Sequence, residues 1–244
     1  MGWMAADEST TQRRRVTLHL SDAARFVVSR AVPWVRSSPG THLWLLILAV
    51  NSGILAVVSP EFREFLLHHN STNLVELRAH PVRVLIVSAL WIESPSAFAL
   101  YFLFYEVIHA PAERWLGTAR WLAVVATAHV GATLISQRAV LMGISYHRLP
   151  RSLAYTVDIG VSYGLAGIVG VLTYYLPRRP RPLRWLYAAA ALGFFGYPLL
   201  SSGRTFTDLG HFSALLIGFA CYALTPPGRV LRAPRRLRPR RWRP

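Results

Sequence analysis

Residues 160–170 read Gly160-Val161-Ser162-Tyr163-Gly164-Leu165-Ala166-Gly167-Ile168-Val169-Gly170. One serine stands among four glycines, in an apolar run that begins after Asp158 and ends near Tyr175. Glycine in an ordinary helix interior costs about 1 kcal/mol relative to alanine, so four of them need a compensating reason. In a bilayer that reason is close contact, because small residues let two helix backbones approach. A second stretch, Asp208-Leu209-Gly210-His211-Phe212-Ser213-Ala214-Leu215-Leu216-Ile217-Gly218, places Gly210, Ala214 and Gly218 on one small-residue helix face, with His211 beside it. Packing of Gly160, Gly164 and Gly167 against Gly210, Ala214 and Gly218 would let Ser162 and His211 meet. The plainer reading is a packing face, with Ser162 one more small residue and His211 a histidine hydrogen-bonded to structure.

Hydrophobic residues make up 53% of the 244-residue chain, yet its formal net charge is +16. The two facts separate along the sequence. Arginines gather at the ends and in short loops, and apolar residues gather in runs near bilayer length. The composition predicts an all-α integral membrane protein. Every basic residue is an arginine. The single cysteine, Cys221, allows no intramolecular disulfide and no cysteine metal cluster. His68 and His69 are adjacent, so they point apart and make a poor metal pair; no metal and no cofactor is expected. The first thirty residues hold no apolar core of a secretory signal, so the first span reads as an uncleaved anchor.

Three regions follow. Residues 1–41 are a basic cytoplasmic segment. In it Ser21 would cap a short interfacial helix that Pro33 ends near Ala31, or the segment is a topology signal without fixed structure. Residues 42–225 carry the transmembrane domain. Residues 226–244 are an arginine- and proline-rich cytoplasmic tail that suits anionic lipid better than nucleic acid, since no folded module accompanies it. Six spans are predicted: His42–Val58, Ser96–Ile108, Ala119–Ser136, Val157–Tyr175, Trp185–Leu200 and Phe206–Leu224. The run from Val84 to Tyr105 is split at Glu93-Ser94-Pro95-Ser96, because a mid-bilayer charge is costly and Pro95 disfavours helix at Ser94. Non-helical backbone at that depth is tolerated only inside protein or beside a wet cavity. The arginine bias places both termini in the cytoplasm of a bacterial cell, with the bilayer itself as the first partner. Among lesser residues, His129 reads as a hydrogen-bonded packing residue, Glu106 and His109 as a pair on one helix face, and Asp158 as the N-cap of the fourth span.

The chain from about His42 to Leu224 resembles the rhomboid family of intramembrane serine proteases. The resemblance rests on three places. Gly160-Val161-Ser162 with Gly167 and Gly170 is similar to the family's serine helix. Gly210-His211 with Ala214 and Gly218 is similar to its histidine helix. Glu113-Arg114-Trp115-Leu116-Gly117 with Arg120 is similar to its turn between helices two and three. The resemblance implies a six-helix bundle with a half-buried loop between spans one and two, with Ser162 as nucleophile and His211 as general base. The chain departs from the family pattern at Tyr163, where the family has glycine. It departs again at Ala97 and Tyr101, where the family has the histidine and asparagine that bind the oxyanion. This pattern is that of a divergent, actinobacterial-type branch. It implies a silent or weakly active rhomboid fold that binds transmembrane helices of client proteins. The alternative is an active intramembrane protease in which the hydroxyl of Tyr101 or Tyr163 replaces the missing donors. A small transporter fits less well, because no internal repeat pairs two broken helices.

Overall fold

A computed structural model of the chain describes Ser29 and residues 31–176 and 181–226. Contacts divide the chain between Pro39 and Gly40 into two units. In the first, residues 31–37 are helical, past Pro33, where the sequence reading ends a helix. The Ser21 cap and the arginine tail lie outside the described residues.

The second unit is all helix and turn among its described residues. Its elements are α1 (Pro39–Val57), α2 (Pro60–His69), α3 (Leu74–Ala79), α4 (Pro81–Val87), α5 (Phe98–Phe104), α6 (Ala110–Leu116), α7 (Thr118–Ser145), α8 (Val161–Leu172), α9 (Arg181–Leu200) and α10 (Phe206–Ala220). The predicted span Val157–Tyr175 is α-helical only over Val161–Leu172, and the other five predicted spans overlap helices. Among the described residues, three helices are long and apolar enough to cross a membrane: Pro39–Val57, Thr118–Ser145 and Phe206–Leu224. A fourth candidate is a pair, Pro81–Leu90 with Pro95–Leu116, bent by 58° at its break. That break is where Pro95 forces it, and Trp91 and Ile92 beside it are buried.

α8 is the central helix. Eight of its 12 residues are buried, including Tyr163, Ile168 and Val171. At 1.5 Å per residue its 12 residues span about 18 Å, well short of a ~30 Å hydrocarbon core. It packs between α7 and α10. Gly164 faces Val125 and Gly167 faces Ala128, both on α7, while Gly160 lies against the His129 ring. Gly160 and Gly164 thus face α7 rather than α10. Positions i, i+4 and i+7 share one helix face, and α7 occupies the side that 160, 164 and 167 make. The α10 face is built from Gly170 and the Gly167 backbone against Gly218. A Cβ on Gly170 would come within 3.0 Å of the Gly218 Cα, so the two backbones touch.

The turn between α6 and α7 holds α1 in place. Glu113 is buried at 2% exposure. Its carboxylate accepts from the amides of Gly40 at 2.9 Å and Thr41 at 2.7 Å, and from the hydroxyls of Thr41 and Thr118, both at 2.7 Å. The first four amides of a helix have no intrahelical acceptor, so Glu113 caps α1 from across the bundle. Gly117, which closes this turn, has φ +83°, a conformation that favours glycine.

Between α5 and α6, residues Tyr105–His109 form a π-helical turn. Glu106 and His109 do not pair across it. Bonding from i to i+5 widens the turn and moves i+3 off the face of i. Glu106 instead lies 3.2 Å from His42, and His109 accepts the Trp121 indole N–H at 3.1 Å.

Candidate functional site

Ser162 is the second residue of α8, and His211 lies in the second turn of α10. The backbone contact between Gly167, Gly170 and Gly218 draws the two helices together. At their common end His211 Nε2 and Ser162 Oγ stand 2.8 Å apart. Nε2 is thus the ring nitrogen placed to accept from the serine hydroxyl. α10 starts in a capping box: the Thr205 hydroxyl accepts the Asp208 amide, and the Asp208 carboxylate accepts the Thr205 amide at 2.7 Å. That fixes the entry of the helix at Thr205, six residues before His211.

Tyr163 turns away from the serine. Its hydroxyl donates to Asp158 Oδ1 at 2.9 Å, and its ring is almost wholly buried. The ring lies against Gly210, where an added Cβ would come within 2.5 Å of its Cζ, and stands T-shaped to His211 at 5.1 Å between centroids. A glycine at 210 is therefore what lets the phenol reach the histidine.

Asp158 is not an N-cap. Gly160 occupies that position and makes no side-chain cap bond. The Asp158 carboxylate accepts instead from Tyr163, from Gln137 at 2.9 Å and from the Thr72 hydroxyl at 3.3 Å, while its amide donates to Ser71 Oγ at 2.7 Å. His129, as expected, is a packing residue: its ring bridges the carbonyls of Leu85 at 2.9 Å and Gly160 at 3.1 Å. It thereby ties α7 to the segment before the serine.

A cavity of about 290 Å³ opens on the dyad. Ser162, His211, Tyr101, Thr207, Glu93 and Asp158 line it, with apolar walls from Val157, Ile159 and Val161. Tyr101 lines the same cavity as Ser162. Ala97, one turn earlier, packs into the apolar cluster of Leu45, Leu48, Ile92 and Tyr105. Beyond the other face of His211 lies a second hollow of about 520 Å³ under Phe194, Phe195, Tyr197 and Pro198. Among the described residues, no group of three or more His, Cys, Asp or Glu could hold a metal.

The sequence reading named the serine, the histidine and both tyrosines. It missed Glu93 and the set Ser71, Thr72 and Gln137 around Asp158, because nothing local in the sequence links residues so far apart. A family model described as a rhomboid-like protein matches residues 33–230. Searches among curated proteins and among solved structures each return no match.

Proposed function

The chain belongs to the rhomboid-like protein family, and from that premise we propose that it is an intramembrane serine hydrolase that cleaves peptide bonds of membrane-embedded clients. The observation that carries this reading is the 2.8 Å contact between His211 Nε2 and Ser162 Oγ on an open cavity. A serine is a poor nucleophile until a neighbouring base takes its proton. In the proposed step Ser162 Oγ attacks the scissile carbonyl carbon as its proton passes to His211 Nε2, and the carbonyl electrons move onto oxygen. Collapse expels the amine, which takes the proton from the imidazolium and leaves an acyl-serine. Water then attacks the acyl carbon while His211 accepts its proton; return of that proton to Ser162 Oγ releases the carboxylic acid.

The developing oxyanion needs donors. Ser162 stands in the first turn of α8, where its own amide has no intrahelical acceptor while that of Tyr163 donates to Gly160 at 3.1 Å, and Tyr101 on the same cavity offers one side-chain hydroxyl. The Tyr163 hydroxyl is engaged by Asp158. One side-chain donor in place of two makes for a slow enzyme, since each such donor contributes about 3–4 kcal/mol.

The topology that suits this chemistry has six spans, with the segment from Pro60 to Ala97 half-buried and both termini cytoplasmic. It puts the short α8 start within reach of water. A cysteine placed at position 70 in a Cys221→Ser background should then react with an impermeant maleimide only from outside the cell; labelling only from the cytoplasm refutes the orientation.

The competing reading is a silent fold that captures client helices. It is favoured by the absence of both family oxyanion residues at Ala97 and Tyr101. Covalent labelling of the purified protein by a fluorophosphonate decides between the two. Labelling lost in Ser162→Ala and His211→Ala is the outcome for the hydrolase. A well-folded native protein that never labels is the outcome for the silent fold.

A further inference from the structure

The structure describes eight carboxylates, and six have a hydrogen-bond or ion-pair partner. Glu64 lies near His68, and Glu76 pairs with Arg83. Glu106 lies near His42, Glu113 caps α1, Asp158 accepts from Tyr163, and Asp208 closes its capping box. Of the other two, Glu61 is exposed at the start of α2 and does not line the dyad cavity, whereas Glu93 lines that cavity and makes no hydrogen bond and no ion pair. It is exposed on the rim of the dyad cavity, in the break before Pro95. Among the described residues no arginine lines that cavity, although the chain carries 27 arginines and a net charge of +16. A chain with basic groups to spare thus leaves an uncompensated anion beside its nucleophile.

An unpaired carboxylate next to the reacting atoms attracts a cation and repels an anion, and such complementarity acts on selectivity more than on raw affinity. We infer that Glu93 selects clients carrying a cationic side chain, arginine or lysine, close to the scissile bond. The inference rests on the dyad acting as a hydrolase. A carboxylate client residue at the same place would face Glu93 and Asp158 together and is disfavoured. A neutral client is processed without preference.

Two fluorophosphonates with the same alkyl chain, one ending in a methyl group and one in a guanidinium, read this directly. Labelling rates are measured in an uncharged maltoside detergent, so that no lipid headgroup supplies charge. The ratio of cationic to neutral rate should exceed one in the native protein. It should fall about two- to fivefold in Glu93→Gln, as befits an exposed pair, and further in Glu93→Arg, and it should shrink as salt is raised. Equal ratios in the native protein and Glu93→Gln overturn the inference while leaving the hydrolase intact. If neither probe labels a folded native protein, it is the hydrolase reading that fails. Glu93 makes no hydrogen bond, so unchanged thermal unfolding of the variants confirms that the comparison is between folded proteins.

Discussion

Tyr163 donates its hydroxyl to Asp158 at 2.9 Å while its ring stands against His211. The residue that follows the nucleophile therefore anchors the wall behind the base. The anchor reaches, through Gln137 and Thr72, to α7 and to the loop before α3.

Removing only the hydroxyl separates the two jobs of this side chain. Tyr163→Phe leaves the buried Asp158 short of one donor, and an unmet buried polar group costs about 1–3 kcal/mol. We predict a lower unfolding temperature in detergent with probe labelling largely kept. Tyr163→Gly, which removes the ring from beside His211, should lose labelling as well. A Phe variant as stable as the native protein would mean that the Asp158 bond contributes nothing.

Tyr101 carries a sharper kinetic expectation. Tyr101→Phe should slow fluorophosphonate labelling by about a hundredfold, the lower end for one lost oxyanion donor, without altering thermal stability much. Ala97→His with Tyr101→Asn restores both family donors and should label faster than the native protein. An unchanged rate in Tyr101→Phe would assign the oxyanion to backbone amides alone.

For Glu113, the prediction concerns the fold. Glu113→Gln replaces one acceptor oxygen by an NH2 group that must face donors from Gly40, Thr41 or Thr118. Each lost bond to a charged group removes about 1.5–3 kcal/mol. Thermal unfolding should show a clear loss, larger than for the exposed control Glu64→Gln. Equal effects at the two positions would rule out the cap.

Gly218 and Gly53 form a matched test of packing. A Cβ at Gly218 meets the backbone of Gly167, which cannot step aside, whereas a Cβ at Gly53 meets nothing within 4 Å. Gly218→Ala should destabilise by about 1–3 kcal/mol. Gly53→Ala should stabilise by a few tenths to about 1 kcal/mol, the ordinary helix preference. Similar shifts in the two would refute backbone contact between α8 and α10.

What could be read from the sequence followed the range of each interaction. The break at Pro95 and the small face of α10 are local rules, and both fall where the residues place them. The sequence raised a meeting of Ser162 and His211 from two glycine faces, but only Gly167 and Gly170 of α8 lie against α10. Glu106 and His109 were misread because the spacing rule assumes an α-helix, and Tyr105–His109 is π-helical. Asp158 was misread because a carboxylate just before a helix has a strong local role to suggest. Its actual partners at 72 and 137 are fixed only by tertiary packing. The direction in which Gly160 and Gly164 face followed from which neighbour took that side of α8, and no pattern within the helix specifies it.

Glu113 stands 72 positions beyond Thr41, whose amide and hydroxyl it accepts. At about 5–20 residues per second a ribosome needs several seconds to cover that interval. We expect α1 to wait through that time with its first amides turned to water at the membrane surface, seated only when the α6 turn arrives. The carboxylate thus acts as a latch that closes late in biogenesis. Nascent chains stopped before residue 113 should accordingly be degraded faster than chains stopped just after Thr118, a difference that pulse-chase measurement of the two truncations would reveal.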